Sequence, residues 1–145
     1  MSNSDVSDVS DASDPSPDRA ASAYDWLGGE ARVRSLVDRF YDLMDLEPGY
    51  GELRAAHGPS LSDARDKLFW FLSGWLGGPN LYIERFGHPR LRARHMPFRI
   101  GIKERDQWVA CMAQAMDDEG VDAALSARLR ESFMQTADWM RNQGV

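Results

Sequence analysis

The stretch "GHPRLRARHMPF", Gly87 to Phe98, holds two of the chain's three histidines, His88 and His95. Pro89 suits the first position of a helix, with His88 before it as a cap. Pro97 biases Met96 away from the helical region, so the helix should end near His95. The stretch therefore reads as one short helix of about two turns over 89–95. Leu91 and His95 stand four apart and share a face. Arg90 and Arg94 also stand four apart and point elsewhere, which makes a solvated basic face, and Arg92 projects between the two directions. His95 is carried on the apolar side, at the helix C-terminus, with Met96 and Phe98 following.

The segments around it also read as helices. Val33, Leu36, Val37, Phe40, Tyr41 and Met44 give the i, i+3, i+4, i+7 stripe of an amphipathic helix. Gly28-Gly29 separates it from a short stub at Tyr24–Leu27, and Pro48-Gly49 ends it. A second long helix runs from about Ser62, read as its N-cap, to Leu76, where Gly77-Gly78-Pro79 stops it. On it Ala64, Leu68, Phe71 and Trp75 share one face, widened by Leu72 and Leu76. A third carries Trp108, Cys111, Met112, Ala115 and Met116 and closes at Asp117-Asp118-Glu119-Gly120. The fourth carries Leu125, Leu129, Phe133, Ala137 and Met140. No segment alternates with period two between hairpin turns, and nothing repeats internally. The fold class is all-α.

The chain has 145 residues, the length of one domain with a proper core. Its 43% apolar and 28% charged residues suit a globular protein. The net charge of −6 is uneven: residues 1–24 hold five aspartates against one arginine, a net −4, which leaves −2 for the rest. A nearly neutral body has no electrostatic footprint for nucleic acid or an anionic membrane. No apolar run approaches the roughly 20 residues of a membrane span, and the N-terminus lacks the pattern of a signal peptide, so a cytoplasmic location is expected. The lone Cys111 excludes an internal disulfide and fits a reducing compartment. Residues 1–22, rich in Ser, Asp and Pro, are expected to be a disordered acidic tail, because they bury too little to offset their ordering entropy. The folded domain is expected over 23–145.

A lone histidine on an apolar face is ordinarily a core residue bonded to a carbonyl. The other use for it here is as a metal ligand. Zinc would need more ligands than one cysteine and three histidines supply at these spacings. Haem needs only one, because the porphyrin supplies four nitrogens. A wide apolar, aromatic-lined cavity is the other requirement, and Phe40, Tyr41, Leu68, Phe71, Trp75, Phe98 and Trp108 lie on inward faces or beside His95. Tyr41 and Trp108 put a hydroxyl and an indole N–H in the middle of two apolar stripes. Each needs a partner, either a backbone group or a bound diatomic ligand.

"FYDLMD", "KLFWFLSGWLGGP", "LYIERFGHPRLRARHMPF" and "ERDQW" together resemble the group II truncated haemoglobins, over roughly residues 24–142. The resemblance implies a shortened globin fold, two helices packed over two around haem b, with the proximal helix reduced to a short segment. It implies that His95 is the proximal iron ligand and Tyr41 the distal tyrosine. His57, in "LRAAHGP", falls at a corner position where members carry tyrosine, phenylalanine or histidine, and Trp108 matches the tryptophan that characterises the group. Ala64 stands where many longer globins place a distal histidine and should leave an opening toward the iron. Leu68 and Phe71 would line the distal face. Lys67 and Tyr82 match positions at the haem propionates or edge, and Arg92 is a further propionate candidate on geometry. Phe40, Met96 and Phe98 complete the expected cofactor contacts.

The functional expectation is reversible binding of O₂, and of CO and NO, with slow release from a polar distal pocket. The alternative is redox turnover at the same haem, either nitric oxide dioxygenation or peroxidase-type chemistry. Turnover would require a reductase that the sequence does not identify. A homodimer is left open. Cys111, on an inward face three residues after Trp108, reads as packing.

Overall fold

The computed structural model describes residues 22–96 and 100–142, without the side chain of Arg92. Phe98 and all of the expected acidic tail except Ser22 lie outside the described residues. Ser22 itself belongs to the fold. Its hydroxyl accepts a hydrogen bond from the Asp25 N–H at 3.1 Å and caps the first helix, α1 (Ala23–Leu27).

The remaining helices are α2 (Glu30–Leu46), α3 (Gly51–Ala55), α4 (Ser62–Trp75), α5 (Leu81–Phe86), α6 (Leu91–His95), α7 (Ile102–Asp118) and α8 (Ala123–Trp139). A 3₁₀ turn at Pro48–Tyr50 joins α2 to α3. The start of α8 is fixed by Asp122, whose carboxylate accepts from the N–H groups of Ala124 and Leu125. No strand occurs among the described residues.

The apolar stripes decide the packing. α2 pairs with α4, α7 pairs with α8, and α2 lies against α7, so two helices sit over two. Leu36, Val37, Phe40 and Met44 of α2 meet Cys111, Met112, Ala115 and Met116 of α7, all fully buried. Leu125, Leu129 and Phe133 of α8, Phe69 and Leu72 of α4, and Leu76 just beyond α4 close the core. Each fully buried Leu, Met or Phe contributes about 1.5–3 kcal/mol, so this interior dominates the stability. Ion pairs add alignment more than energy. Arg65 of α4 reaches Asp38 at 3.2 Å and Asp42 at 2.6 Å on α2, and partly exposed pairs of this kind contribute about 1 kcal/mol or less.

Four details differ from the sequence expectations. Ser62 is the first residue of α4 and not its cap; Leu61, buried by the core, precedes it, and the Arg65 N–H bonds to the Leu61 carbonyl. The fully buried face of α4 is Phe69, Leu72 and Ser73, whereas Ala64, Leu68, Phe71 and Trp75 are half-buried beside it. α3 and α5, five and six residues long, were not expected as helices. α6 starts at Leu91, because Arg90 takes a left-handed conformation with φ of 47° and cannot continue a helix toward Pro89. His88 still caps the turn, with Nδ1 accepting from the Arg90 N–H at 3.1 Å.

The Gly77-Gly78 pair after α4 has a specific task. The Tyr24 N–H donates to the Leu76 carbonyl at 2.8 Å, which brings α1 down onto this turn. Gly77 has φ of 96°, a conformation that favours glycine. A Cβ on Gly78 would lie 2.5 Å from Cδ1 of the Tyr24 ring. Gly78→Ala is therefore expected to destabilise the protein by about 1–3 kcal/mol. Chemical denaturation measures it, and an unchanged midpoint would show that α1 is not seated on this turn.

Candidate functional site

Consecutive residues of α2 serve two purposes. Phe40 is entirely buried, and Tyr41 retains only 5% exposure. Their rings meet edge to face at 4.9 Å. From Phe40 the aromatic series continues to Trp108 of α7 at 5.1 Å, then to Phe133 of α8 at 5.2 Å. It ends on Trp75 of α4, stacked on Phe133 at 4.8 Å. His57, beyond α3, lies edge-on to Tyr41 at 6.0 Å. Four long helices and one corner thus contribute to one continuous ring system.

Burial pushes the Tyr41 phenol well above its ordinary value, and the Arg65 guanidinium, 5.9 Å from the ring centroid, opposes this only in part. Tyr41 is therefore a neutral hydroxyl at physiological pH. Neither that hydroxyl nor the Trp108 indole N–H is hydrogen-bonded among the described residues. Trp108 is half-buried, and neither polar atom belongs to the fully enclosed ones that lack a partner, so both keep access to an acceptor from outside the fold.

The two histidines nearest this region are held in the same way. Nδ1 of His57 lies 2.9 Å from the Leu53 carbonyl, and Nδ1 of His95 lies 2.7 Å from the Leu91 carbonyl. A carbonyl only accepts, so each Nδ1 carries a proton, and in the neutral ring the lone pair then lies on Nε2. For His95, half-buried at the end of α6, that is the state required of a metal ligand. Among the described residues no three His, Cys, Asp or Glu side chains converge. A metal held through His95 would take its other ligands from a group such as a porphyrin. The residues present fit haem.

The other sequence-predicted positions are distributed around this centre. Leu68, Phe71 and Ala64 are half-buried on α4. Phe71 meets Tyr82 of α5 at right angles, 6.3 Å between centroids, and the Arg94 guanidinium lies 5.7 Å from the Tyr82 ring. Lys67 is exposed on α4, and Met96 is 55% exposed after α6. Phe98 and the Arg92 side chain are outside the described residues. Cys111 is buried, its thiol donating to the Phe40 carbonyl at 3.2 Å and pushed up to about 12 by burial. Sequence reasoning missed Arg65, Arg94 and Asn142, whose contacts join elements distant in the chain.

A two-over-two helical fold with an aromatic series running through its four long helices is the architecture of a truncated globin. The chain belongs to the bacterial-like globin family, whose profile matches residues 22–142. It is 39% identical over 115 residues to the group 2 truncated hemoglobin YjbI of Bacillus subtilis (strain 168), covering 79% of this chain and 85% of that protein. Among solved structures it resembles the cold-adapted truncated hemoglobin of the Antarctic marine bacterium Pseudoalteromonas haloplanktis TAC125. That match has 44% identity and a TM-score of 0.82, and covers 85% of this chain and 99% of the other. It also resembles the group II 2-on-2 hemoglobin of the plant pathogen Agrobacterium tumefaciens. There the identity is 40% and the TM-score 0.84, with 87% and 98% covered. The protein is a haem-binding globin, and its ligands are diatomic gases. None of the described helices is long and apolar enough to cross a membrane.

Burial lowers the pKa of His57 below its ordinary 6.5, and Arg54 and His95 add to this while the Leu53 carbonyl opposes it. Between the two values the unfolded chain binds more protons than the folded one. This contribution to stability is therefore complete above about pH 6.5 and declines as pH falls through the folded value. His57→Phe should lose less stability than the parent between about pH 7.5 and pH 5. Denaturation at both pH values tests this, and equal losses would show that His57 is not depressed.

Proposed function

We propose that the protein holds haem b through Nε2 of His95 and binds O₂, CO and NO reversibly, releasing O₂ slowly. The observation that carries this reading is the neutral Tyr41 hydroxyl, hydrogen-bonded to no described residue, on the aromatic series that runs through Phe40 to the half-buried Trp108. When bound, haem supplies an iron at which a diatomic gas gains partial negative charge. Tyr41 and Trp108 donate to that charge from fixed positions, which costs no reorganisation when the ligand arrives. His57 does not add a third donor at Nε2, since its proton is committed to the Leu53 carbonyl. Its role is as an acceptor beside Tyr41, competing with the ligand for the phenol proton. Ala64 leaves an opening on the α4 side, and Leu68 and Phe71 keep that side apolar. Lys67 and Tyr82 would meet the propionates and the haem edge.

Each neutral hydrogen bond contributes about 1 kcal/mol, a factor of roughly fivefold in release. Tyr41→Phe and Trp108→Phe are each expected to speed O₂ dissociation about fivefold, and the double variant tenfold or more. Stopped-flow mixing of the oxygenated protein with a reductant measures this. Unchanged rates in both single variants would refute the donor roles. His95→Ala is expected to lose the Soret band of the parent, and a retained parent spectrum would remove His95 as the ligand.

A further inference from the structure

α6 is a helix of five residues, too short to hold its own conformation in water. It begins at the left-handed Arg90 without a side-chain cap and makes only sparse contact with the other helices. Yet it carries the ring whose direction matters most. The ring is fixed to its own helix by the bond from Nδ1 to the Leu91 carbonyl. That bond sets the imidazole relative to α6, but not α6 relative to the rest of the protein.

The second attachment comes from Asn142, just beyond the end of α8. Its Nδ2 donates to the His95 carbonyl at 3.2 Å. Its Oδ1 accepts from the Ile100 N–H at 2.9 Å, and its own N–H donates to the Ile100 carbonyl at 2.8 Å. One residue therefore joins the end of α6, the approach to α7 and the end of α8. α7 and α8 are the pair that carries Trp108 and Phe133. Through Asn142, the backbone of His95 is referenced to the frame that places the Trp108 donor.

We propose that Asn142 is the positioning residue of His95, setting the height and rotation of its imidazole against the site that Trp108 borders. The inference rests on His95 being the iron ligand. Asn142 acts on the site through the backbone of His95. Asn142→Asp separates its bonds: the carboxylate still accepts from the Ile100 N–H and the backbone is unchanged, but the donor to the His95 carbonyl is lost. Asn142→Ala removes both side-chain bonds.

The test combines three readouts on the full chain. Resonance Raman of the ferrous, ligand-free protein reports the iron–histidine stretching band. Transfer of haem to an excess of an apo-globin acceptor reports how firmly it is held, and thermal unfolding of the haem-free protein reports the fold alone. Asn142→Asp is expected to shift or broaden the band and speed haem transfer by roughly fivefold, the size of one lost hydrogen bond. The haem-free midpoint should stay at the parent's value. Asn142→Ala should have at least as large an effect on the band. A band coincident with the parent's in both variants overturns the inference, even if haem is lost faster, since that is what a general tether would do. A parent without an iron–histidine band, or a His95→Ala variant that keeps the parent's band, overturns the ligand assignment itself and is recognisable without either Asn142 variant.

Discussion

The hydrogen bond from Nδ1 of His95 to the Leu91 carbonyl, 2.7 Å long, is the constraint on which the proposed site depends. It fixes the imidazole to its own short helix and selects the tautomer of the neutral ring, with the lone pair on Nε2. The same bond recurs at His57, with the carbonyl of Leu53, again four residues back and again at the end of a five-residue helix. In both places the imidazole folds back onto a carbonyl of its own turn, which ties the ring to its own helix. One local device, used twice, presents two Nε2 atoms whose surroundings give them different uses.

The core and the site share their material. Phe40 packs at the centre of α2 with no exposure, touches both Tyr41 and Trp108, and accepts the Cys111 thiol at its carbonyl. A change in this ring would alter the packing of α2 on α7 and the placement of both donors at once. The arrangement lets a domain of modest length hold polar groups against its core. Their positions are set by the tightest part of the packing and do not depend on loops.

How much of this was legible in the sequence depends on the range of each interaction. The stripes on α2, α7 and α8 follow from apolar spacing over several turns, and the structure buries those residues except Trp108 and Met140, which are half-buried, Met140 just past the end of α8. On α4 the spacing located the helix but not its deepest face, because Phe69 and Leu72 compete with Phe71 and Trp75 for the core and only packing decides between them. α3 and α5 are too short to show a period. The boundary of α6 shifted because Arg90 takes a conformation that nothing in its neighbours dictates. His57 is marked only by the family resemblance, whereas Tyr41, Trp108 and His95 stand out as polar tips on apolar faces. Arg65 and Asn142 do not, since their partners lie 23 to 47 residues away and a surface arginine or a terminal asparagine carries no mark of its use.

The chain has one sulfhydryl, and its environment makes it chemically silent. Cys111 is sealed in the interior and bonded to a main-chain oxygen, and with a pKa of about 12 it is almost never an anion. Nucleophilic attack by sulfur requires the anion. A protein that handles reactive gases thus keeps its one oxidisable thiol out of their reach. A cysteine introduced anywhere on the surface would be the sole point of attachment for a maleimide dye, with no need to remove the natural one first.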